Sequence, residues 1–291
     1  MRALTLYNQE QREIMNFALL QIAKLENLLF LQQYLQTCQK QGVSLLCFPE
    51  YVFEPFFKKL ENLHSSTLLS RANAQKLEGL QDLSAQYKIK FIAPMLLNNE
   101  ILSRYKLWGA PIRAKKSQKL YKTIAFISES AIELYLPQRL IDFPHWSEKE
   151  FFANPTRKKF SSPLTFFCDG LKIGVLSGFE LHFDSLFMSL KKQEYDMLIA
   201  PCSNTFDSYA RWRSLCKMRA FLNSCVLLRI NRVGNELVYG NTWNFYGDSL
   251  YVNAYGQIED SLQEYEGLLI ANTQKSEILK AREAWGFYKD F

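Results

Sequence analysis

Short apolar runs alternate with segments of helical periodicity from the N-terminal region to about residue 225, and this alternation constrains the fold more than any other feature. Residues 17–22 and 43–48 have the length and composition of buried strands. The segment between them places apolar side chains at helical spacing, and Gly42 ends it. Strands and helices that follow one another in this way predict an α/β sandwich.

The same alternation continues along the chain. A second helix is predicted with Ser70 as its N-cap, and residues 89–94 return to strand. Asp169 and Gly170 stand between two apolar runs and predict a tight hairpin turn. Beyond residue 225 the chain becomes strand-rich, so the helices are expected mainly in the first three quarters.

No linker or internal repeat divides the chain, so a single domain is predicted over residues 1–271, with an N-terminal extension at 1–15. The remaining arm, 272–291, is polar overall but carries apolar residues such as Ile278 and Trp285. A free tail would expose this apolar surface to water. We therefore expect the arm to pack on the domain or on a partner subunit.

Composition indicates a soluble globular protein. The chain has 291 residues, 48% of them hydrophobic, which is enough to bury a large core. No stretch suits a membrane span, and the N-terminal residues lack an apolar targeting core, so a cytoplasmic location is expected. The six cysteines and three histidines have no metal-ligand spacing. We therefore predict reduced thiols, no metal site and no other cofactor.

The net charge of +6 is mild, although Lys115, Lys116, Lys119 and Lys122 cluster around Tyr121. The simplest interpretation is a solvated loop or strand face. A nucleic-acid partner would require base-stacking aromatic residues or a docking motif beside the charge, and neither is visible. Nucleic acid is therefore not expected as a partner, although this cluster would be its binding site.

Four sequence motifs occur in a fixed order. They are Phe48-Pro49-Glu50, residues 173–183, Arg219-Ala220-Phe221-Leu222-Asn223, and Asn231-Arg232-Val233-Gly234 followed by Gly247-Asp248-Ser249 and Gly256. Together they resemble the motifs of the nitrilase superfamily of carbon-nitrogen hydrolases, and the resemblance runs from about residue 16 to residue 271.

This resemblance implies a four-layer α-β-β-α sandwich that forms a homodimer through helices beside the nucleophile strand. In the family a cysteine attacks an amide, nitrile or carbamoyl carbon, a glutamate carries the proton, and a lysine stabilises the oxyanion. By resemblance, Glu50 is the glutamate, and Glu148 corresponds to a second glutamate of the family.

Two positions depart from the family pattern. Gly178 falls on the cysteine, and Pro137 falls on the lysine of the motif Tyr-x-Lys-x-x-Leu, which spans residues 135–140. We expect glycine to relieve backbone strain at a nucleophile elbow. On this alignment both the nucleophile and the cation positions of the site are vacant.

Two hypotheses follow. In the first, the protein is a catalytically inactive or impaired member that binds a small molecule or a protein partner in the old cleft. In the second, it remains an amidase with a relocated nucleophile, for which Cys202 is the candidate because it follows Pro201 at the end of the next strand. Arg139 could then supply the missing charge.

Overall fold

A computed structural model describes residues 14–61, 66–109, 119–156, 158–205 and 207–285. Seventeen strands and eight α-helices lie within these ranges. The strands are β1 (Ile14–Gln21), β2 (Leu45–Cys47), β3 (Lys90–Asn98), β4 (Lys106–Gly109), β5 (Leu120–Ile127), β6 (Ile132–Leu136), β7 (Asp142–Phe143), β8 (Trp146–Ser147), β9 (Leu164–Cys168), β10 (Leu171–Val175), β11 (Met197–Cys202), β12 (Val226–Asn231), β13 (Val233–Val238), β14 (Asn241–Tyr246), β15 (Leu250–Val252), β16 (Ile258–Ser261) and β17 (Gly267–Gln274).

The helices are α1 (Leu31–Lys40), α2 (Phe57–Leu60), α3 (Ser66–Tyr87), α4 (Asn99–Leu102), α5 (Glu148–Phe151), α6 (Asp184–Lys191), α7 (Tyr209–Asn223) and α8 (Lys275–Trp285). Two short 3-10 helices cover Leu28–Phe30 and Gly178–His182.

Two large sheets contain most of the strands. The first has the order β17-β1-β2-β3-β5-β6-β4, and the second has the order β16-β15-β12-β11-β10-β9. Strands β1, β2 and β3 are parallel to one another, and so are β10, β11 and β12. Loops at the carboxyl ends of such parallel strands meet at one edge of a sheet, which is where α/β proteins place ligands.

The sheets pack face to face with helices on the outside. Phe126 of the first sheet stacks on Phe166 of the second with ring centroids 4.1 Å apart. Leu35 of α1 and Leu77 of α3 pack with the outer face of the first sheet, and Trp212 of α7 packs with the second. The predicted four-layer α-β-β-α sandwich is confirmed.

Two local predictions had different outcomes. Asp169 and Gly170 have φ angles of 46° and 78° and connect β9 to β10, so the hairpin prediction is confirmed. Ser70, in contrast, lies inside α3, and the predicted N-cap is wrong. Its buried hydroxyl accepts a hydrogen bond of 2.8 Å from the N–H of Asn98, so the serine joins α3 to the end of β3.

The C-terminal residues add a strand to the first sheet and then form α8, whose side chains contact the second sheet. Strand β17 pairs antiparallel with β1, and α8 buries Ile278 and Ala281. Asp196, fully buried just before β11, pairs with Lys275 and with Arg282 at 3.1 Å. Residues 275–285 therefore pack on the chain's own core. No helix in the described ranges is both long and apolar enough to cross a membrane.

Candidate active site

Glu50 lies just beyond the carboxyl end of β2, where the chain turns sharply. Its backbone N–H donates to the carbonyl oxygen of Cys202 at 3.2 Å, which joins the two sheets at this end. Tyr51 has a φ of 60°, a left-handed conformation that is uncommon for an aromatic residue. The Tyr51 hydroxyl donates to Glu148 Oε1 at 2.6 Å, so the turn directs two adjacent side chains towards one buried cluster.

Lys122 is the cation of this cluster. Its Nζ atom lies 2.9 Å from Glu50 Oε1 and 2.7 Å from Glu148 Oε1. The three residues are respectively 3%, 5% and 0% exposed, so the charges interact away from bulk water. Although burial lowers the pKa of Lys122, Glu148 and Glu50 outweigh that effect and hold this pKa above its ordinary value. Lys122 is thus fixed as an ammonium.

Glu50 is set to exchange a proton near neutral pH. Burial raises its pKa to about 7, with Lys122 opposing the rise and Glu148 adding to it. The Ser203 hydroxyl donates to Glu50 Oε2 at 3.1 Å and fixes the carboxylate from the side opposite Lys122. A buried carboxyl group with this pKa, beside a fixed cation, has the properties of a general base.

The expectation that this end of the cleft has no cation is corrected by Lys122. Continuing the antiparallel β5–β6 register beyond the pair Ile124–Tyr135 brings Lys122 opposite Pro137. The side-chain amide of Asn154 donates to both carbonyl oxygens, at 2.9 Å to Lys122 and 3.0 Å to Pro137. A lysine therefore reaches Glu50 from the strand next to the proline, which a search of one motif position could not detect.

Two further expectations about basic residues are corrected. Lys122 does not belong to a solvated basic face, because it is buried; Lys115 and Lys116 lie outside the described residues. The guanidinium of Arg139 lies 4.0 Å from the ring centroid of Phe160 and donates to the carbonyl oxygen of Gln138. The cation paired with Glu50 is Lys122.

Gly178 begins the 3-10 helix that follows β10, and its φ lies outside the left-handed region. Relief of backbone strain therefore does not account for glycine here. A Cβ atom built on Gly178 would collide with Cys202 Sγ and would lie 3.2 Å from the carbonyl oxygen of Pro201. The sulfur of Cys202 fills the space that a side chain at residue 178 would need, so a larger residue there would have to displace that sulfur.

Cys202 ends β11, and its thiol is buried. Burial raises the pKa of the thiol to about 12, with the nearby Arg229 opposing the rise. The sulfur donates a long hydrogen bond of 3.4 Å to the carbonyl oxygen of Ala200. The neutral thiol is therefore the dominant form at neutral pH, and Cys202 requires a base to become a nucleophile.

Glu180 secures the turn that carries Gly178. Its carboxylate accepts hydrogen bonds from the N–H of Ser177 at 2.9 Å, from the N–H of Gln138 at 2.6 Å and from the Tyr135 hydroxyl at 2.9 Å. Burial raises the pKa of Glu180 to about 7 against these hydrogen bonds. Tyr135 and Gln138, on either side of Pro137, thus hold the turn in place through their hydrogen bonds to Glu180.

A cavity of about 580 Å³ opens above these groups. Glu50, Lys122, Gly178, Cys202 and Ser203 all line it, so the structure brings the thiol, the carboxylate and the ammonium to one space. Glu148 contacts Lys122 behind this lining. The described part of the chain contains no group of three metal-ligating side chains that could hold an ion.

Comparison with known proteins agrees with this architecture. The carbon-nitrogen hydrolase family model matches residues 16–283, and the chain belongs to that family. A solved carbon-nitrogen hydrolase from Helicobacter pylori G27 is similar in structure, with a TM-score of 0.78 at 18% identity over 96% of this chain and 95% of that one. A nitrilase-superfamily amidase from Nesterenkonia has a TM-score of 0.70 at 18% identity, covering 94% and 95% of the two chains.

Similarity to curated sequences is more distant. An N-carbamoylputrescine amidase from Solanum tuberosum is 27% identical over 184 residues, which is 58% of this chain and 60% of that protein. A deaminated glutathione amidase from Yersinia enterocolitica is 31% identical over 88 residues, 30% of each chain. The chain thus spans less than two thirds of the length of the curated relatives it matches.

Proposed function

We propose that this protein hydrolyses the carbon–nitrogen bond of a small amide or carbamoyl compound bound in the cavity. The observation that carries the proposal is the position of Lys122 between the buried carboxylates of Glu50 and Glu148. Burying three ionisable groups is costly, and apolar residues of similar size would stabilise such a site at least as well. Ionisable groups buried on and behind a cavity wall are typical of a functional site.

Each charged group suits one part of amide hydrolysis. The Lys122 ammonium can hold the carbonyl oxygen and stabilise the negative charge that develops there. Glu50, with a pKa raised by burial to about 7, can accept a proton from the nucleophile and return it to the departing nitrogen. Glu148 keeps Lys122 charged through its 2.7 Å contact.

The remaining wall of the cavity favours a ligand that has an apolar part and carries no positive charge. Phe143, Phe179 and Trp212 line it, and Arg211 is the exposed cation at its rim. Among the described residues, Glu50 is the only carboxylate that lines the cavity, and it is already paired with Lys122. The similar plant enzymes are named for N-carbamoylputrescine, which ends in an ammonium group. Such a group would meet Arg211 here, so we propose a different substrate for this chain.

Binding without turnover is the second candidate. It is favoured by Gly178, which leaves no nucleophile at the position matching the family's cysteine, and by burial, which raises the pKa of the Cys202 thiol to about 12. In this case the cavity would bind an amide or a carboxylate on Lys122 and release it unchanged.

Ammonia release and ligand-dependent thermal shifts separate the two candidates. The test uses phenylacetamide, benzamide, 4-carbamoylbutanoate and N-carbamoylputrescine, with wild-type protein and Glu50→Gln. Hydrolysis predicts ammonia from at least one aromatic or anionic amide, and a loss of about 10²–10⁴-fold in rate for Glu50→Gln. Thermal shifts without ammonia from any compound would reject hydrolysis and leave the binding candidate.

A cytoplasmic homodimer remains part of the proposal. Met218 and Leu222 are 50% and 43% exposed on α7, the helix that contacts the turn after β10. A second copy would cover this apolar face by two-fold symmetry, because the same patch meets itself. Light scattering should give twice the chain mass, and Met218→Glu with Leu222→Glu should yield a folded monomer.

A further inference from the structure

We infer that the reactive groups of this site have moved to neighbouring strands: the Cys202 thiol replaces a nucleophile at residue 178, and the Lys122 ammonium replaces a cation at residue 137. This inference rests on the proposed function and identifies the nucleophile for it. Each replacement is supported by its own geometry.

The thiol replacement follows from mutual exclusion. Cys202 lies on β11, which runs parallel to β10, and Gly178 follows β10 after two intervening residues. The sulfur fills the space of a Cβ atom at residue 178, so the two positions deliver a side chain to the same point. Both residues line the cavity with Glu50 and Lys122. A sulfur at this point therefore lines the same cavity as the base and the cation but comes from a different strand.

The lysine replacement follows from the strand register. Residues 122 and 137 are cross-strand neighbours on β5 and just beyond β6, and Asn154 bridges their carbonyl oxygens. Facing residues in an antiparallel pair lie about 5 Å apart at Cβ, a distance that a lysine side chain spans easily. Lys122 can therefore bring an ammonium to the place that a lysine at residue 137 would serve.

With Cys202 and Lys122 in these roles, each step of the proposed hydrolysis balances in atoms, protons and electrons. Cys202 Sγ bonds to the carbonyl carbon while Glu50 takes the thiol proton, and the C=O electron pair moves onto the oxygen held by Lys122. The C–N bond then breaks, and the nitrogen leaves with the proton from Glu50. Water attacks the thioester and gives a proton to Glu50, and the departing sulfur recovers it. One amide and one water become one carboxylic acid and one amine or ammonia.

Paired exchange tests the thiol. With phenylacetamide as probe, Cys202→Ala should lose at least about 10³-fold in kcat. The pair Gly178→Cys with Cys202→Ala should regain most of this rate, because removing the sulfur makes room for a side chain at residue 178. Cys38→Ala is the matched control, since burial raises its thiol pKa to about 12 as well and it lies on α1, outside the cavity lining.

A labelling experiment tests the same thiol without turnover. Iodoacetamide followed by peptide mass spectrometry should modify Cys202 faster than Cys38, and Glu50→Gln should slow the labelling of Cys202 alone. Equal labelling rates at the two cysteines, or wild-type turnover in Cys202→Ala, would overturn the inference. In the second case the proposed hydrolysis would stand with another nucleophile. If the wild-type protein releases no ammonia from any amide, the proposed function fails instead.

The lysine has a parallel test. Lys122→Met should lower kcat by about 10²–10³-fold, whereas Pro137→Lys combined with Lys122→Met should restore it in part. Because Lys122→Met leaves two buried carboxylates facing each other, Lys122→Arg is the second variant, and it should fold and retain measurable turnover. The exposed Lys88→Met is the control and should keep the wild-type rate. Failure of the paired variant to exceed Lys122→Met, with both folded, would contradict the replacement.

Discussion

The Nζ atom of Lys122 lies 2.9 Å from Glu50 Oε1, although residue 137, which the motif resemblance places at the family's lysine, is a proline. Glu50 follows β2, and Lys122 lies on β5 of the same sheet. Glu148, the first residue of α5, contacts Lys122 as well. This contact changes the interpretation of the whole cavity. A charged lysine beside a titratable base can polarise an acyl group as well as bind it.

Turnover should depend on pH through Glu50. Burial raises the pKa of this carboxyl group to about 7, and only its deprotonated form can accept a proton. For phenylacetamide, kcat/KM should therefore increase as pH rises through about 7 and then level off, because the Cys202 thiol has a pKa near 12. A rate that falls over the same interval would contradict the assignment of Glu50 as the base.

Glu148→Gln should move that pH profile. The Glu148 carboxylate contributes to raising the pKa of Glu50, so its removal should lower this pKa and shift the rise in kcat/KM to lower pH. Glutamine keeps an oxygen that can accept from Tyr51. The exposed Glu129→Gln is the control and should leave the profile in place. An unchanged profile in a folded Glu148→Gln protein would show that the two carboxylates do not interact.

Gly178→Ala should destabilise the fold through a single contact. Its Cβ atom would collide with Cys202 Sγ, and overpacking of this kind costs about 1–3 kcal/mol in the free energy of unfolding. Adding Cys202→Ala should remove most of that cost, so urea unfolding of the four proteins should show a strong coupling energy. Gly267→Ala, whose Cβ would be 3.4 Å from Leu262, is the control. Additive effects would contradict the proximity of the sulfur.

Arg211→Gln should change ligand preference. A charge-assisted hydrogen bond contributes about 1.5–3 kcal/mol, so binding of 4-carbamoylbutanoate should weaken by about tenfold or more. Binding of neutral phenylacetamide should hardly change. Calorimetry with both ligands measures the difference, and Arg104→Gln, an exposed arginine paired with Glu100, is the control. Equal weakening of both ligands would show that Arg211 does not select charge.

The free energy of unfolding should decrease as pH rises above the ordinary pKa of a glutamate side chain. Burial raises the pKa values of Glu50 and Glu180 to about 7 and that of Glu54 to about 8, so the folded state binds more protons than the unfolded state between about 4.5 and 8. Under this condition the free energy of unfolding decreases with pH. Urea unfolding across the interval measures the slope, and Glu180→Gln should reduce it. A slope of the opposite sign would contradict these pKa shifts.

Local patterns predicted the fold well because they depend on neighbours in sequence. Alternating apolar runs gave the sandwich, and the Asp169-Gly170 pair gave the hairpin. The site depends on contacts between distant segments. The sequence pattern places Lys122 in a solvated cluster and gives no signal for Ser203, because only the β5–β6 register and the end of β11 bring these residues to Glu50. Motif alignment compares positions, whereas the cavity is defined by where side-chain ends meet.

The collision between a side chain at residue 178 and the sulfur of Cys202 also couples the choice of residues at these two positions. A chain with cysteine at both positions would have to force two sulfur-bearing side chains into one volume. A protein with this backbone therefore keeps either a side chain at residue 178 or the sulfur of Cys202 in its present rotamer. Among related chains, the residue at 178 should therefore vary together with the residue at 202.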